Sequence, residues 1–491
     1  MNSSIVRYTL GQVLKIEAAL LLLPCLVALI YGENQGLYFV LVAAMCAFLG
    51  MGMTLIKPSS NIFYLKEGCI ITSLSWIFLS FFGALPFYLS GEIPSLTDAL
   101  FETISGFTTT GASILDEVES LSRCVTFWRC FTHWIGGMGV LVFLLAIIPI
   151  GGGSQINIMK AESPGPSVGK LVPRIRSTAR ILYIIYFALT IMEILFLIFG
   201  GMSVFEAVNT AVATAGTGGF GIKNDSIGGY SAYLQWVVTI FMILFGVNFN
   251  AYYLIIFKQF RKAFTMEEVI HYFAIICIAI GIIFTRIFRS YEFAADALRD
   301  SAFQVASIIT TTGFSTADFD KWPAVCQTVL VFLMFIGACA CSTGGGIKVS
   351  RLIILRKTII KEMISYVHPK SIKKIKMDDK PVEHEVVRAT NVFFITFVII
   401  FSLSVLFIAI DGNDLVTNFT AVAATINNIG PGLSMVGPTQ NFSHFSVFSK
   451  YVLMFDMIAG RLELFPLLML FHPELWKEMF AHYIKKFSKS D

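Results

Sequence analysis

Apolar residues in this chain come in long blocks. Stretches of spanning length fall near residues 9–31, 36–56, 67–90, 124–150, 180–200, 232–257, 269–290, 324–347, 389–410 and 447–471. A helix needs about 20 such residues to cross about 30 Å of hydrocarbon. Four shorter, half-apolar stretches lie between them, near 97–108, 203–216, 300–311 and 414–427. These are too short to span, and their lengths predict re-entrant or buried helices. The pattern is that of an all-α polytopic membrane protein.

Composition agrees and excludes alternatives. Of the 491 residues, 56% are hydrophobic and 14% charged, with a net charge of +4. Soluble domains carry about 25% charged residues. A soluble enzyme, a disordered chain and a nucleic-acid binder are excluded, the last because it needs a far larger basic patch. Cys339 and Cys341 form one C-x-C with no second pair and no histidine at ligand spacing, so no metal centre is expected. The run 9–31 ends without a small-residue cleavage site and is expected to stay as a span. Gly216 to Gly221 matches G-x-G-x-x-G but lies between spanning segments, without the βαβ unit a dinucleotide site requires. With no H-E-x-x-H, no G-x-S-x-G and no paired acids at helical spacing, no enzyme is expected.

The remaining charges are asymmetric. One set of loops carries Lys57, Lys66, Lys160, Lys170, Arg174, Arg176, Arg180, Lys258, Arg261, Lys262 and a basic stretch from Arg351 to Arg388. The other set carries Glu92, Asp98, Asp116, Glu117, Glu119, Asp225, Asp318 and Asp320. The positive-inside rule puts the first set in the cytoplasm. An even number of spans then makes both termini cytoplasmic, and the short stretches enter from outside. The stretch 351–388 reads either as a solvated linker or as a docking face for a cytosolic partner.

Internal repetition organises the chain. After a two-helix extension (1–65), the order spanning helix, short helix, Thr/Gly-rich turn, spanning helix occurs in 66–165, 166–264, 265–385 and 386–491. The turns read Thr108-Thr109-Thr110-Gly111-Ala112, Thr217-Gly218-Gly219-Phe220, Thr310-Thr311-Thr312-Gly313-Phe314 and Asn427-Asn428-Ile429-Gly430-Pro431. Four such units can surround one axis with pseudo-fourfold symmetry. Short helices entering from outside aim their negative C-terminal ends inward, which favours a cation. Backbone carbonyls beyond them can replace an ion's hydration shell, and glycine permits the required backbone angles. With no ring of charged side chains, selection by carbonyl dipoles suits a weakly hydrated monovalent cation.

At these residues the chain resembles the membrane subunit of the bacterial Trk-type potassium uptake systems. The likeness covers nearly the whole chain. Its most specific pieces are Phe107 to Ala112, Trp134 to Gly139, Gly218 to Phe220, Thr310 to Phe314, Ser342 to Lys348, Asn427 to Gly432 and Gly460 to Glu463. The two extra N-terminal helices resemble the Trk form rather than the shorter Ktr form. The resemblance implies a potassium filter of Thr109, Thr110, Gly111, Thr217, Gly218, Gly219, Thr311, Thr312, Gly313, Asn428, Ile429 and Gly430. Sodium-favouring plant relatives carry Ser at the first filter glycine, so Gly111 implies potassium. The second repeat departs from the pattern, since Gly218 stands where a Thr would precede the filter glycine and Gly221 where Ser is common.

Two further features lie within apolar segments. Ser342, Thr343, Gly344, Gly345 and Gly346 interrupt one of them; three glycines cost a helix about 1 kcal/mol each relative to Ala. The resemblance implies that this run, with Lys348, is an intramembrane gate beneath the filter. Arg461 and Glu193 are charges inside spans, which are expensive in lipid and usually functional. Arg461 either pairs with Asp456 or Glu463 as structural glue or, as the family implies, holds its charge in the ion path. Glu193 has no assigned role. The family further implies a homodimer with one pore per protomer and a cytosolic nucleotide-binding ring subunit. Potassium is then the transported ion, this chain holds no cofactor of its own, and the location is the bacterial inner membrane. The alternative on the same scaffold is a proton- or sodium-coupled potassium symporter, for which Glu193 is the only titratable candidate.

Overall fold

Inside lipid, every backbone N–H and C=O must find a protein partner, so a chain can leave the helical state only where other protein covers it or water reaches it. The computed structural model describes residues 2–58, 64–139, 175–370, 374–475 and 477. The second half of the 124–150 segment, Lys160, Lys170, Arg174, the side chain of Arg176, Lys373, and the residues after 477 lie outside the described residues.

The ten apolar segments divide into two classes. Six form helices long and apolar enough to cross a membrane: Ser3–Tyr31, Gly36–Thr54, Leu65–Leu89, Ala179–Phe199, Glu267–Ser290 and His384–Asp411. These are the N-terminal pair and the first, outer helix of each repeat. The other four segments, expected as full spans, form shorter helices among the described residues, and those of repeats 2, 3 and 4 are broken. The inner helix of repeat 1 is Arg123–Gly137. That of repeat 2, Ala232–Gly246, turns by 89° into Phe249–Ile256. In repeat 3, Ala324–Ile336 ends before the glycine run, and the chain becomes helical again only at Val349–Val367. In repeat 4, Val447–Arg461 gives way to Phe465–Met469 through left-handed Glu463 and Leu464. A break was legible only in repeat 3. A glycine at or near each helix end, Gly137, Gly246, Gly337 and Gly460, permits the close packing found there.

The four short segments are the pore helices Leu96–Phe107, Val204–Gly216, Ala294–Ile309 and Leu415–Ile426. The third starts earlier than its apolar content indicated, because its first turns carry Asp296, Arg299 and Asp300. Ser95, Ser203 and Asp414 cap the first, second and fourth with side-chain oxygens.

The basic stretch 351–388 is not a linker throughout. Val349–Val367 is helical, with Val349, Ile353 and Ile354 buried, and Lys376–Met377 pairs with Lys380–Pro381 as a two-residue antiparallel ladder.

One buried cluster joins the N-terminal helices to repeats 1 and 4. Two others fill repeats 3 and 2. All three converge on the ends of the pore helices.

Candidate functional site

Each pore helix ends in the same way. Thr109, Thr217, Thr311 and Asn428 take left-handed φ values of 56°, 54°, 57° and 55°. Their N–H groups bond three residues back, at 3.1, 2.9, 3.1 and 3.1 Å. The next residues, Thr110, Gly218, Thr312 and Ile429, bond five residues back, at 2.8, 3.0, 2.8 and 2.8 Å. This is a Schellman closure in which the usual glycine is replaced by Thr or Asn. A left-handed β-branched residue costs about 1–3 kcal/mol and persists only where its surroundings impose it. Two residues on, Gly111, Gly219, Gly313 and Gly430 return to positive φ, at 78°, 77°, 85° and 97°. Alternating signs of φ turn successive carbonyls toward a common side.

The four glycines close a ring. A Cβ on Gly111 would collide with the carbonyl oxygen of Gly218, one on Gly219 with that of Thr312, and one on Gly313 with that of Ile429. A Cβ on Gly430 would press on the carbonyls of Thr110 and Gly111. Each repeat therefore abuts the next in the order 1, 2, 3, 4, 1. All four glycines line one vestibule of about 190 Å³, shared with Asp116, Lys223 and Asn441. Every one of the twelve predicted turn residues lies in this arrangement.

Side chains brace the ring from behind. Thr108 and Thr110 share a hydroxyl contact of 2.8 Å, and Thr310 and Thr312 one of 2.7 Å. Asn428 Nδ2 donates to Thr110 Oγ1 at 3.0 Å and to Met457 O at 2.9 Å, tying repeats 4 and 1. Thr109 Oγ1 and Asn428 Oδ1 are buried oxygens with no protein donor among the described residues.

The interrupted segment lies directly against the ring. A Cβ on Gly344 would collide with Thr310 O and one on Gly345 with Asn427 O, the ends of pore helices 3 and 4. Gly345 N donates to Thr311 Oγ1 at 2.6 Å. The loop is also anchored from the side. Cys339 N donates to Gly246 O and Phe249 N to Cys341 O, so it fills the break in the repeat 2 inner helix. The Lys348 amine caps Gly344 O, and Ser342 Oγ donates to Cys339 O.

Arg461 reaches the loop from repeat 4. Its guanidinium donates to Thr343 O at 2.8 Å, to Gly137 O at 2.8 Å and to Gly136 O. Gly136 and Gly137 end the repeat 1 inner helix, where the helix dipole favours a cation. The acids considered as its partners are engaged elsewhere: Asp456 accepts from Ser404 Oγ at 2.7 Å, and Glu463 pairs with Arg351. Arg461 therefore joins repeat 1, the loop and repeat 4.

Arg461 and Glu193 are not the only charges placed inside the protein. Glu102 and Arg129 are buried and paired at 2.5 Å. Glu102 also accepts from Ser113 Oγ and Ile114 N, and Arg129 donates to Gly221 O at 2.9 Å, so the pair fixes the backbone just after the turn glycines of repeats 1 and 2. Glu268 is buried and accepts from Ala340 N at 2.6 Å, Ser350 N at 3.1 Å and Asn248 Nδ2 at 2.9 Å, clasping both ends of the loop. A charge inside a pore helix or at the edge of an apolar run was the available signal for these three. Glu193 is fully buried beside Thr214 of the second pore helix. Among the described residues no group of three His, Cys, Asp or Glu is placed to hold a metal.

Comparison with known proteins gives one family. The family model TrkH, described as cation transport protein, matches residues 38–483. The chain is 35% identical to the Trk system potassium uptake protein TrkH of Salmonella typhimurium over 97% of this chain and 100% of that protein. It is 32% identical to the Trk system potassium uptake protein TrkG of Escherichia coli, with the same coverage. Among solved structures, the crystal structure of the potassium transporter TrkH from Vibrio parahaemolyticus matches with a TM-score of 0.87 and 32% identity, over 97% of this chain and 100% of that one.

Two outcomes follow. Gly111→Ser should displace the Gly218 carbonyl and lower potassium-over-sodium discrimination about tenfold, or about 1.4 kcal/mol; an unchanged flux ratio would remove Gly111 from the filter. Deleting Gly344–Gly346 should raise resting conductance about tenfold in single-channel or flux recordings, and a lower or equal conductance would show that the loop is not a barrier.

Proposed function

The chain belongs to the TrkH family of cation transport proteins, and on that premise we propose that it takes up potassium through the ring around Gly111, Gly219, Gly313 and Gly430. The observation that carries this reading is the cyclic contact of the four filter glycines, each against the carbonyl of the next repeat. A potassium ion sheds water in the outer vestibule and exchanges it for backbone carbonyls. It then meets the Ser342–Gly346 loop and the Arg461 guanidinium, which together bar the way until the loop moves. Thr311 and Glu268 of repeat 3 and Arg461 of repeat 4 all bond to this loop or its ends, so its displacement must break contacts with two repeats at once. Lys348, capping the loop's own carbonyl, keeps the closed shape.

Uptake of this kind needs no chemistry in the chain. An inside-negative potential contributes about 2.3 kcal/mol per charge per 100 mV. We place the protein in the bacterial inner membrane with both termini in the cytoplasm, from the basic loops. We further propose a homodimer with one pore per protomer and a cytosolic ring subunit that binds the regulatory nucleotide. The relatives' names make each of them part of a Trk system. The helix Val349–Val367 and the residues after it carry Lys357, Lys361, Lys374 and Lys376, in the stretch proposed to receive that subunit.

Flux into liposomes separates this reading from ion-coupled symport. Under a potassium gradient alone, potassium and rubidium should enter and sodium should lag by tenfold or more, an order of magnitude worth about 1.4 kcal/mol. Entry that requires a proton or sodium gradient would overturn it in favour of symport.

A further inference from the structure

The second repeat lacks the threonine pair that braces the first and third. Where those have Thr108 with Thr110 and Thr310 with Thr312, it has Gly216 and Gly218. The space is not empty. A Cβ on Gly218 would fall into the imidazole ring of His133, and one on Gly216 would strike the His133 backbone carbonyl.

His133 is fully buried on the inner helix of repeat 1. Its Nδ1 lies 2.7 Å from Gly106 O, at the end of the first pore helix, and its Nε2 lies 3.2 Å from Phe220 N. A carbonyl only accepts and an amide N–H only donates, so the ring is neutral, with the proton on Nδ1 and Nε2 accepting. Arg129, one turn earlier, donates to Gly221 O and lies 3.7 Å from the Phe220 ring. The Phe220 ring thus meets both a guanidinium and an imidazole, its centroid 4.3 Å from that of the latter.

The bond to Phe220 N matters because of the peptide plane. Phe220 N–H and Gly219 C=O belong to one planar unit, so fixing the N–H fixes the direction of the carbonyl. Gly219 is the filter glycine of repeat 2. We propose that His133 is a specificity-determining positioning residue, a side chain lent by repeat 1 that aims the Gly219 carbonyl at the passing ion. Gly216 and Gly218 are the other half of this device, vacated so that the ring can enter. The proposal rests on the potassium-conducting reading and adds a residue that the filter motifs do not contain.

Reconstituted full-length protein, assayed for potassium and sodium flux, tests it. His133→Gln keeps an acceptor within reach of Phe220 N, whereas His133→Asn keeps only a donor toward Gly106 O. The Gln variant should discriminate within about twofold of the unmodified chain. The Asn variant should lose about fivefold, the size of one buried hydrogen bond. Gly218→Thr should abolish flux, and the double variant His133→Ala with Gly218→Thr should restore it. Equal discrimination in the Gln and Asn variants, or a double variant no better than Gly218→Thr alone, would overturn the proposal. If the histidine variants fail to give a monodisperse protein, Gly218→Ala tests the same contact by adding one methyl against the ring; an unchanged flux ratio there would also overturn it. Absence of discrimination in the unmodified chain would refute the potassium reading itself, a distinct result.

Discussion

Everything in this molecule answers to one constraint: backbone that leaves the helix within a bilayer must be satisfied by other backbone, by buried side chains or by water. Among the described residues the chain leaves the helix at four pore-helix ends, at Gly137 of the repeat 1 inner helix and at three inner-helix breaks. It solves the first set with four copies of one hydrogen-bonded closure. The second set is arranged so that one break fills another, as when Cys339 and Cys341 bond to Gly246 and Phe249. The carbonyls that remain are those the Schellman closures leave over, and they are the ones we propose to face a cation.

Glycine and buried charge share the work of holding that backbone. Glycine acts where backbones touch: each filter glycine sits where any side chain would strike the neighbouring repeat. Charge acts where several backbone groups must be gathered. Glu268 collects two N–H groups and an amide, and Arg461 collects three carbonyls. A buried ion is expensive unless fully hydrogen-bonded, and a broken helix supplies such partners in abundance. The same breaks that would be intolerable in lipid become ligands for fixed charges. This links the low charge content of the chain to its architecture, because a few ionic groups are each given several backbone partners.

Much of this was legible along the chain. The pore helices were visible as half-length apolar stretches, and the filter turns by their Thr and Gly at recurring positions. The interruption at Ser342–Gly346 was visible because three glycines in an apolar run have few other uses. The ends of the other inner helices were not visible. Gly136-Gly137, Gly246-Val247-Asn248 and Gly460-Arg461 are embedded in runs whose mean hydropathy suits a continuous span, and hydropathy is blind to where hydrogen bonds go. Glu102, Arg129, Glu268 and His133 were passed over for a related reason. Each takes its meaning from partners far away in sequence, such as Arg129 with Gly221 or Glu268 with Ala340.

Hydrophobic length and local backbone preference are properties of contiguous residues. The sequence alone therefore determined the membrane setting, the fourfold order and the glycine positions at the turns after the pore helices. Ring closure is a property of four segments spread from Thr108 to Gly430 that meet only in three dimensions. Tertiary structure alone decided that Gly218 is empty because His133 fills it, that Arg461 serves backbone carbonyls while Glu463 serves Arg351, and that the loop bonds to the filter through Thr311. The departure in the second repeat, an irregularity in one dimension, is in three dimensions a side chain delivered from the neighbouring repeat.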